Sequence, residues 1–344
     1  MTEKFREILH KRLTRRRFLQ GSGVLALGAG LPMFSGAAPA TGIQSSLTFT
    51  ETSHELTPQL EVPSGYQSQV LLKWGEPLFA GGPAFDPLKQ SAEKQQQQFG
   101  YNNDFIGFLS LPLGSANSTH GLLVINHEYT VPQIMWPGSP NDMSLNKAQT
   151  DTDIVAHGLS VVEIELVDGV WHQRKNSAYT RRITPFTPMH ISGPAAGSAR
   201  LKTAISHDGV HTLGTYGNCA GGVTPWGTVL TGEENVDMMF AGDFSKSPEA
   251  ASLKRFGMSA KPSKSWAAHY PRWDLSKEPN ESFHMGWIVE IDPYDPLSIP
   301  KKRTALGRFK HEGANVYINA DQRVVAYMGD DQKFEYLYKF VSKS

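Results

Sequence analysis

Short runs of apolar and β-branched residues, each closed by glycine, proline, asparagine or aspartate, recur from about residue 69 to residue 341. Residues 69–74, 104–111, 121–126 and 159–166 form the clearest early runs, and 227–231, 286–291, 315–319, 323–328 and 335–341 follow. Runs of this length and pattern predict strands. Asp168-Gly169 has two-residue turn chemistry and predicts a hairpin between 161–166 and 170–174. Ala320-Asp321-Gln322 predicts a second hairpin, joining 315–319 to 323–328. Helical patterning is confined to about 88–98 and 247–256, and residues 41–63 read as a polar, extended arm. Many short antiparallel strands without alternating helices predict an all-β fold, a sandwich, barrel or propeller, although no strict repeat marks propeller blades.

Composition narrows this picture. The 344 residues suffice for one large core or two ordinary ones, and 32 glycines with 22 prolines suit a turn-rich β architecture. Lys+Arg and Asp+Glu both number 33, so no polycationic surface makes nucleic acid the default partner. The single cysteine, Cys219, excludes an intramolecular disulfide, which leaves packing and bound metal to hold an exported fold.

Export itself is read from the first 40 residues. Thr14-Arg15-Arg16-Arg17-Phe18-Leu19-Gln20 has a twin-arginine pattern, an apolar stretch runs from Gly21 to Phe34, and Ala38-Pro39-Ala40 supplies a small-residue cleavage pattern. The apolar stretch is shorter than the roughly 20 residues a spanning helix needs. A signal peptide over 1–40 therefore predicts a periplasmic or secreted product without stable membrane insertion; an amphipathic helix or uncleaved anchor is the alternative. Gly21-Ser22-Gly23-Val24-Leu25-Ala26 fits a loose dinucleotide fingerprint, but no strand precedes it. The twin-arginine route carries folded proteins, which raises the expectation of an installed cofactor.

A serine nucleophile elbow, a phosphate-binding P-loop, an H-E-x-x-H zinc motif and paired C-x-x-C motifs are all missing. Polar ligand types instead gather in turns beside strands at four places. Asn126-His127-Glu128 follows the apolar run 122–125, and Gly232-Glu233-Glu234-Asn235 follows 227–231. Cys219 sits among glycines in 214–226, a setting for a metal loop, while a lone cysteine also serves as a small buried apolar residue. Lys310-His311-Glu312-Gly313 and Gly329-Asp330-Asp331 complete the set. Each triplet alone also reads as a solvated turn; four such placements favour one shared polar centre, with oxygen donors suited to hard cations.

Taken together, Asn126-His127-Glu128-Tyr129, the segment 214–226, Thr231-Gly232-Glu233-Glu234-Asn235, 307–312, Tyr327-Met328-Gly329-Asp330-Asp331 and the ending 335–341 resemble the PhoX family of alkaline phosphatases. The resemblance covers nearly the whole chain. It implies a β-propeller with few short helices and a buried cluster of Fe3+ and Ca2+ that hydrolyses phosphate esters, monoesters above all. It also implies iron ligation by Cys219, Glu234 and Glu312, with Glu128, Glu233, Asn235, Asp330 and Asp331 as calcium or supporting ligands. Arg308 and Lys310, beside the carboxylate motif, are then candidates to hold the phosphoryl oxygens, with ordinary surface charge as the alternative. Family members are longer, so residues 41–344 are expected to be the N-terminal portion of the propeller, with a C-terminal half as partner. The competing readings are a non-catalytic exported calcium-binding propeller and an inactive fragment.

Overall fold

The computed structural model describes residues 50–343 except 54 and 140, so the leader expected over 1–40 lies outside the described residues. Residues 50–68 fall in the first of two units, and those described form turns and irregular backbone without strand or helix. From Gln69 onward the second unit is mostly β-sheet.

The first sheet contains β1 (Asn103–Ser110), β2 (His120–His127), β3 (Gly158–Val167) and β4 (Val170–Gln173) in that order, with β5 (Arg181–Ile183) also pairing β3. The β3–β4 hairpin turns on Asp168 and Gly169, whose φ values of 51° and 79° are those a tight two-residue turn requires. A second sheet holds β6 (Pro188–Ser192), β7 (His211–Leu213), β8 (Asn218–Val223), β9 (Val229–Glu233), β10 (Ile288–Ile291) and β11 (Lys301–Arg303), in the order β7-β6-β11-β10-β9-β8. Only β6 and β11 pair in parallel within it. The third sheet is β12 (His311–Ile318), β13 (Val324–Asp330) and β14 (Leu337–Val341). None of the three closes on itself.

Helices are short: α1 (Ala92–Gln95), α2 (Pro132–Met135), α3 (Lys147–Ala156), α4 (Ala250–Phe256) and α5 (Trp266–His269). The helix expected over 88–98 shrinks to α1, and residues 69–74, expected as a strand, are irregular backbone that ends in a turn at Trp74. The glycine-rich segment around Cys219 is a strand, β8, rather than a loop. Helix α3 escaped the pattern because it buries polar Thr150, Thr152 and Asp153 beside only a few apolar residues. Its start was nonetheless written locally: Gln149 N donates to Asn146 Oδ1 and Asn146 N to Gln149 Oε1, both at 3.0 Å, a capping box.

The middle sheet is buried on both faces. Val229, Val289 and Ile291 pack with Leu109, Val124 and Val161 of the first sheet, whereas Leu230 and Ile288 pack with Ala314 and Met328 of the third. This is the period-two alternation of strands used on two sides, and every residue of β9 is buried. Each such apolar side chain contributes about 1.5–3 kcal/mol of burial. Backbones also touch: a Cβ on Gly222 would lie 2.1 Å from the Ala314 carbonyl oxygen, and one on Gly232 2.3 Å from that of His311. Glycine at these two positions lets β8 and β9 lie directly on β12.

Candidate metal centre

Three hairpins break register in the same way. β1 pairs with β2 through Asn103↔His127 and then Ile106↔Ile125; β8 with β9 through Asn218↔Glu233 and then Gly221↔Thr231; β12 with β13 through His311↔Asp330 and then Ala314↔Met328. Each time the first strand advances three residues while its partner advances two, which is a β-bulge. The residue that enters the bulge is Asp104, Cys219 or Glu312, and the residue just past the partner strand is Glu128, Glu234 or Asp331. One local device, used three times, thus presents a donor from the bulge and an acid from the strand end.

These donors converge on the thiol. Asp104, Glu128 and Cys219 form one group, and Cys219, Glu234 and Glu312 another, with ligand atoms within 4.8 Å of one another in each. Cys219 Sγ donates to Glu312 Oε1 at 3.4 Å and to Asp104 Oδ2 at 3.7 Å. Glu128 and Asp104 share a side-chain hydrogen bond, as do Glu234 and Asp331. Cys219 (7 % exposed) and Glu234 (3 %) make a buried floor, while Asp104, Glu312 and Asp331 form an exposed rim. Under the floor, fully buried Asn126 donates its Nδ2 to the Cys219 carbonyl.

The electrostatics are one-sided. Burial first, then the charges of Asp104 and Glu312, raises the Glu128 carboxyl to about 7. Glu234 rises to about 8 through burial, its bond to Asp331 and the charge of Glu312. Burial and the acids Glu128, Asp104, Glu234 and Glu312 push the Cys219 thiol far above its usual value. The charged neighbours behind all three shifts are acids. Without added positive charge these groups keep their protons, and the hydrogen bonds among carboxyls depend on those protons. A thiol amid convergent carboxylates is a donor set that fits multivalent cations: oxygen donors for a hard ion, sulfur for a transition metal.

Of the residues marked in the sequence, Glu128, Cys219, Glu234 and Glu312 come together in these groups, and Asp331 joins them through Glu234. Glu233 does not. As the last residue of β9 it points opposite to Glu234, is fully buried, and accepts from Lys302 Nζ at 2.5 Å and from Trp287 N at 3.1 Å. The expectation of Glu233 as a metal ligand is therefore corrected: an internal ammonium already neutralises it. Asn235 borders the centre, donating to the Glu234 carboxylate and accepting from Lys310 Nζ at 3.4 Å. Asp330, in the last pair of β13, accepts from Gln332 N at 3.0 Å.

Arg308 is also placed differently from the expectation. Its Nε donates to the Met285 carbonyl at 2.8 Å and its Nη2 to that of Ser282 at 2.9 Å, while the guanidinium lies 3.9 Å from the Phe256 ring centroid. These bonds tie down a loop and aim the fork at backbone carbonyls instead of the acid cluster. Lys310 Nζ pairs with Asp237 at 3.1 Å and donates to Asn235 Oδ1 at 3.4 Å, while its carbonyl accepts from Asp331 N at 3.1 Å. Both residues line a cavity of about 520 Å³ with Arg255, Phe256, Asp330 and Tyr338. Asp104 was missed in the sequence, although an acid entering a strand after Tyr101-Asn102-Asn103 mirrors the acids leaving strands elsewhere.

Comparison with known proteins agrees with the resemblance read from the motifs. No curated protein matches the chain. A solved structure, Pseudomonas fluorescens PhoX in complex with vanadate, a transition state analogue, is 43 % identical with a TM-score of 0.77 and matches 83 % of this chain. The match takes in 48 % of the Pseudomonas protein, so the chain spans about half the length of that relative. The family model described as alkaline phosphatase PhoX matches residues 47–344, and the chain belongs to that family.

Proposed function

We propose that this chain provides the metal-binding core of an exported phosphatase that hydrolyses phosphate esters, monoesters above all, with Fe3+ and Ca2+. The observation that carries the reading is the convergence of three bulged hairpins on Cys219, in a cluster of acids whose charged neighbours are acids. Cys219, Glu234 and Glu312 are the set for iron, because only that ion has a use for a thiolate. Glu128, Asp104 and Asp331 offer the oxygens calcium prefers. Multivalent cations held there would neutralise the phosphoryl group and activate water, the chemistry such sites supply in ester hydrolysis. The chain's own residues orient these donors through the bulges, keep water from the floor by burying Cys219 and Glu234, and leave the rim open to a small anionic substrate. Lys310, acting through Asn235, fixes the Glu234 carboxylate.

The three open sheets are read as blades of a propeller, and the family relative's greater length supports a further half of the structure. The twin-arginine pattern at residues 14–20 supports periplasmic or secreted placement. Among the described residues no helix is long and apolar enough to cross a membrane.

Elemental analysis of the purified chain, with a chromogenic phosphomonoester assay run with and without a calcium chelator, tests the proposal. Bound iron and calcium with turnover lost on chelation is the expected result, and Cys219→Ala should remove iron and turnover together. Metal uptake without turnover would instead favour a calcium-binding module, and a Cys219→Ala chain with full iron would end the ligand assignment.

A further inference from the structure

We propose that Asn126 is a positioning residue of the metal centre, whose side-chain amide sets the spacing of Glu128 on the first sheet against Cys219 on the second. The inference rests on the reading of the acid cluster as a metal site. β2 and β8 lie in different sheets and share no ladder, so strand pairing does not fix one against the other. Asn126 spans that gap: it is fully buried in β2, two residues before Glu128, and its Nδ2 donates to the Cys219 carbonyl. A carbonyl only accepts, so the amide orientation is set by its partner.

The position matters because of the bulge. Between Asn218↔Glu233 and Gly221↔Thr231 the register gives Cys219 no opposite residue in β9. The same is true of Asp104 and Glu312 in their bulges, but those residues are exposed. Cys219 is buried, and an unpaired buried carbonyl is costly. Asn126 supplies a side-chain bond to this carbonyl at the one of the three bulges whose first residue is buried. The other end of the lever is firm. His127, on the opposite face of β2, engages Ser160 Oγ at 2.7 Å and accepts from Gly100 N at 3.3 Å; Glu128 N donates to the Asn102 carbonyl at 3.3 Å. A shift of the Cys219 bulge is thereby referred to the strand that leads into Glu128.

The second polar atom of the amide gives the test its direction. Asn126 Oδ1 is buried and has no hydrogen-bond partner among the described residues. If the residue acted by ligating a cation through that oxygen, Asn126→Asp would tighten metal binding. If it acts through Nδ2, the same change replaces a donor by an acceptor facing the Cys219 carbonyl and weakens binding.

The experiment uses the full chain and its Asn126→Asp and Asn126→Ala variants. Calcium affinity is measured by calorimetric titration, iron content by elemental analysis after loading with iron salt, and melting temperature with and without the two ions. Both variants are expected to lose about 10–100-fold in calcium affinity, the usual cost of removing a group that orients a ligand, and to retain less iron. The metal-dependent rise in melting temperature should shrink more than the metal-free value falls. Wild-type or tighter binding in Asn126→Asp would overturn the proposal. So would a drop confined to the metal-free melting temperature, or failure of both variants to fold even with metal, because the amide would then serve the fold alone. Wild-type protein that takes up neither ion would fail first, and that outcome removes the metal reading itself.

Discussion

Glu233 and Glu234 leave β9 on opposite sides, and the two regions they enter handle buried negative charge differently. On the Glu233 side two buried glutamates have internal cations: Lys302 for Glu233, and Arg272 for Glu281 at 2.5 Å, with His284 at 3.3 Å from the same glutamate. On the Glu234 side the named neighbours of the raised groups are Asp331, Glu312, Asp104 and Glu128. The difference is not a shortage of basic residues, since Lys310 lies near and is held by Asp237 instead. A chain that neutralises one glutamate internally and leaves its neighbour among acids is built to take positive charge from outside at the second place.

The comparison breaks most visibly at Lys302. Both members of its pair are fully buried, so Lys302→Met strands the Glu233 carboxylate in the core; loss of one partner from such a pair costs about 3–5 kcal/mol. Denaturant titration should show that loss, and adding Glu233→Gln should recover most of it. A loss under about 1 kcal/mol would mean that Glu233 is compensated by something other than Lys302. The next effect falls on the seam between regions. Gly232→Ala places a Cβ 2.3 Å from the His311 carbonyl oxygen, forcing β9 away from β12 and therefore Glu234 away from Glu312. Overpacking of this kind costs about 1–3 kcal/mol, and affinity for iron should fall with it. Unchanged affinity despite the stability loss would show that the two ligands tolerate separation.

Much of this was legible in the sequence where chemistry and period coincided. Apolar runs ending in Asn126-His127-Glu128 or Gly329-Asp330-Asp331 gave both a strand and an acid at its end, and Asp168-Gly169 gave a turn. Which of two adjacent acids faces the site was not legible, because β9 is buried on both faces and offers no polar side to set the phase. Hence Glu233 was read as a ligand although it meets Lys302, which lies 69 residues away in the chain. Bulges have no composition signature of their own beyond small residues. Phe105, Ala220 and Gly313 share no type, so the threefold device that brings in Asp104 appears only once the registers are known. Arg308 looked like an anion holder because it neighbours the acidic motif, yet its bonds run to carbonyls from a distant turn.

The smallest effect is also the one that reverses sign. In the folded metal-free chain Glu234 keeps its proton to about pH 8 and Glu128 to about pH 7, against 4.5 for either in an exposed reference. The folded state therefore binds more protons than the unfolded one between these values, and stability is full below about pH 4.5 and lost as pH rises through 7 to 8. Glu234→Gln removes one of these charges. Without metal it should flatten that decline and raise stability at pH 8 by on the order of 1 kcal/mol, allowing for screening at the open rim. With iron bound the order reverses, because the wild-type carboxylate then meets its counter-ion while the amide offers only a neutral oxygen. Melting curves at pH 5 and pH 8, each with chelator and after iron loading, give the four values needed for each protein. If Glu234→Gln were less stable than wild type at pH 8 in chelator, the acid cluster would already hold a compensating cation of its own, and the contrast with Glu233 would disappear.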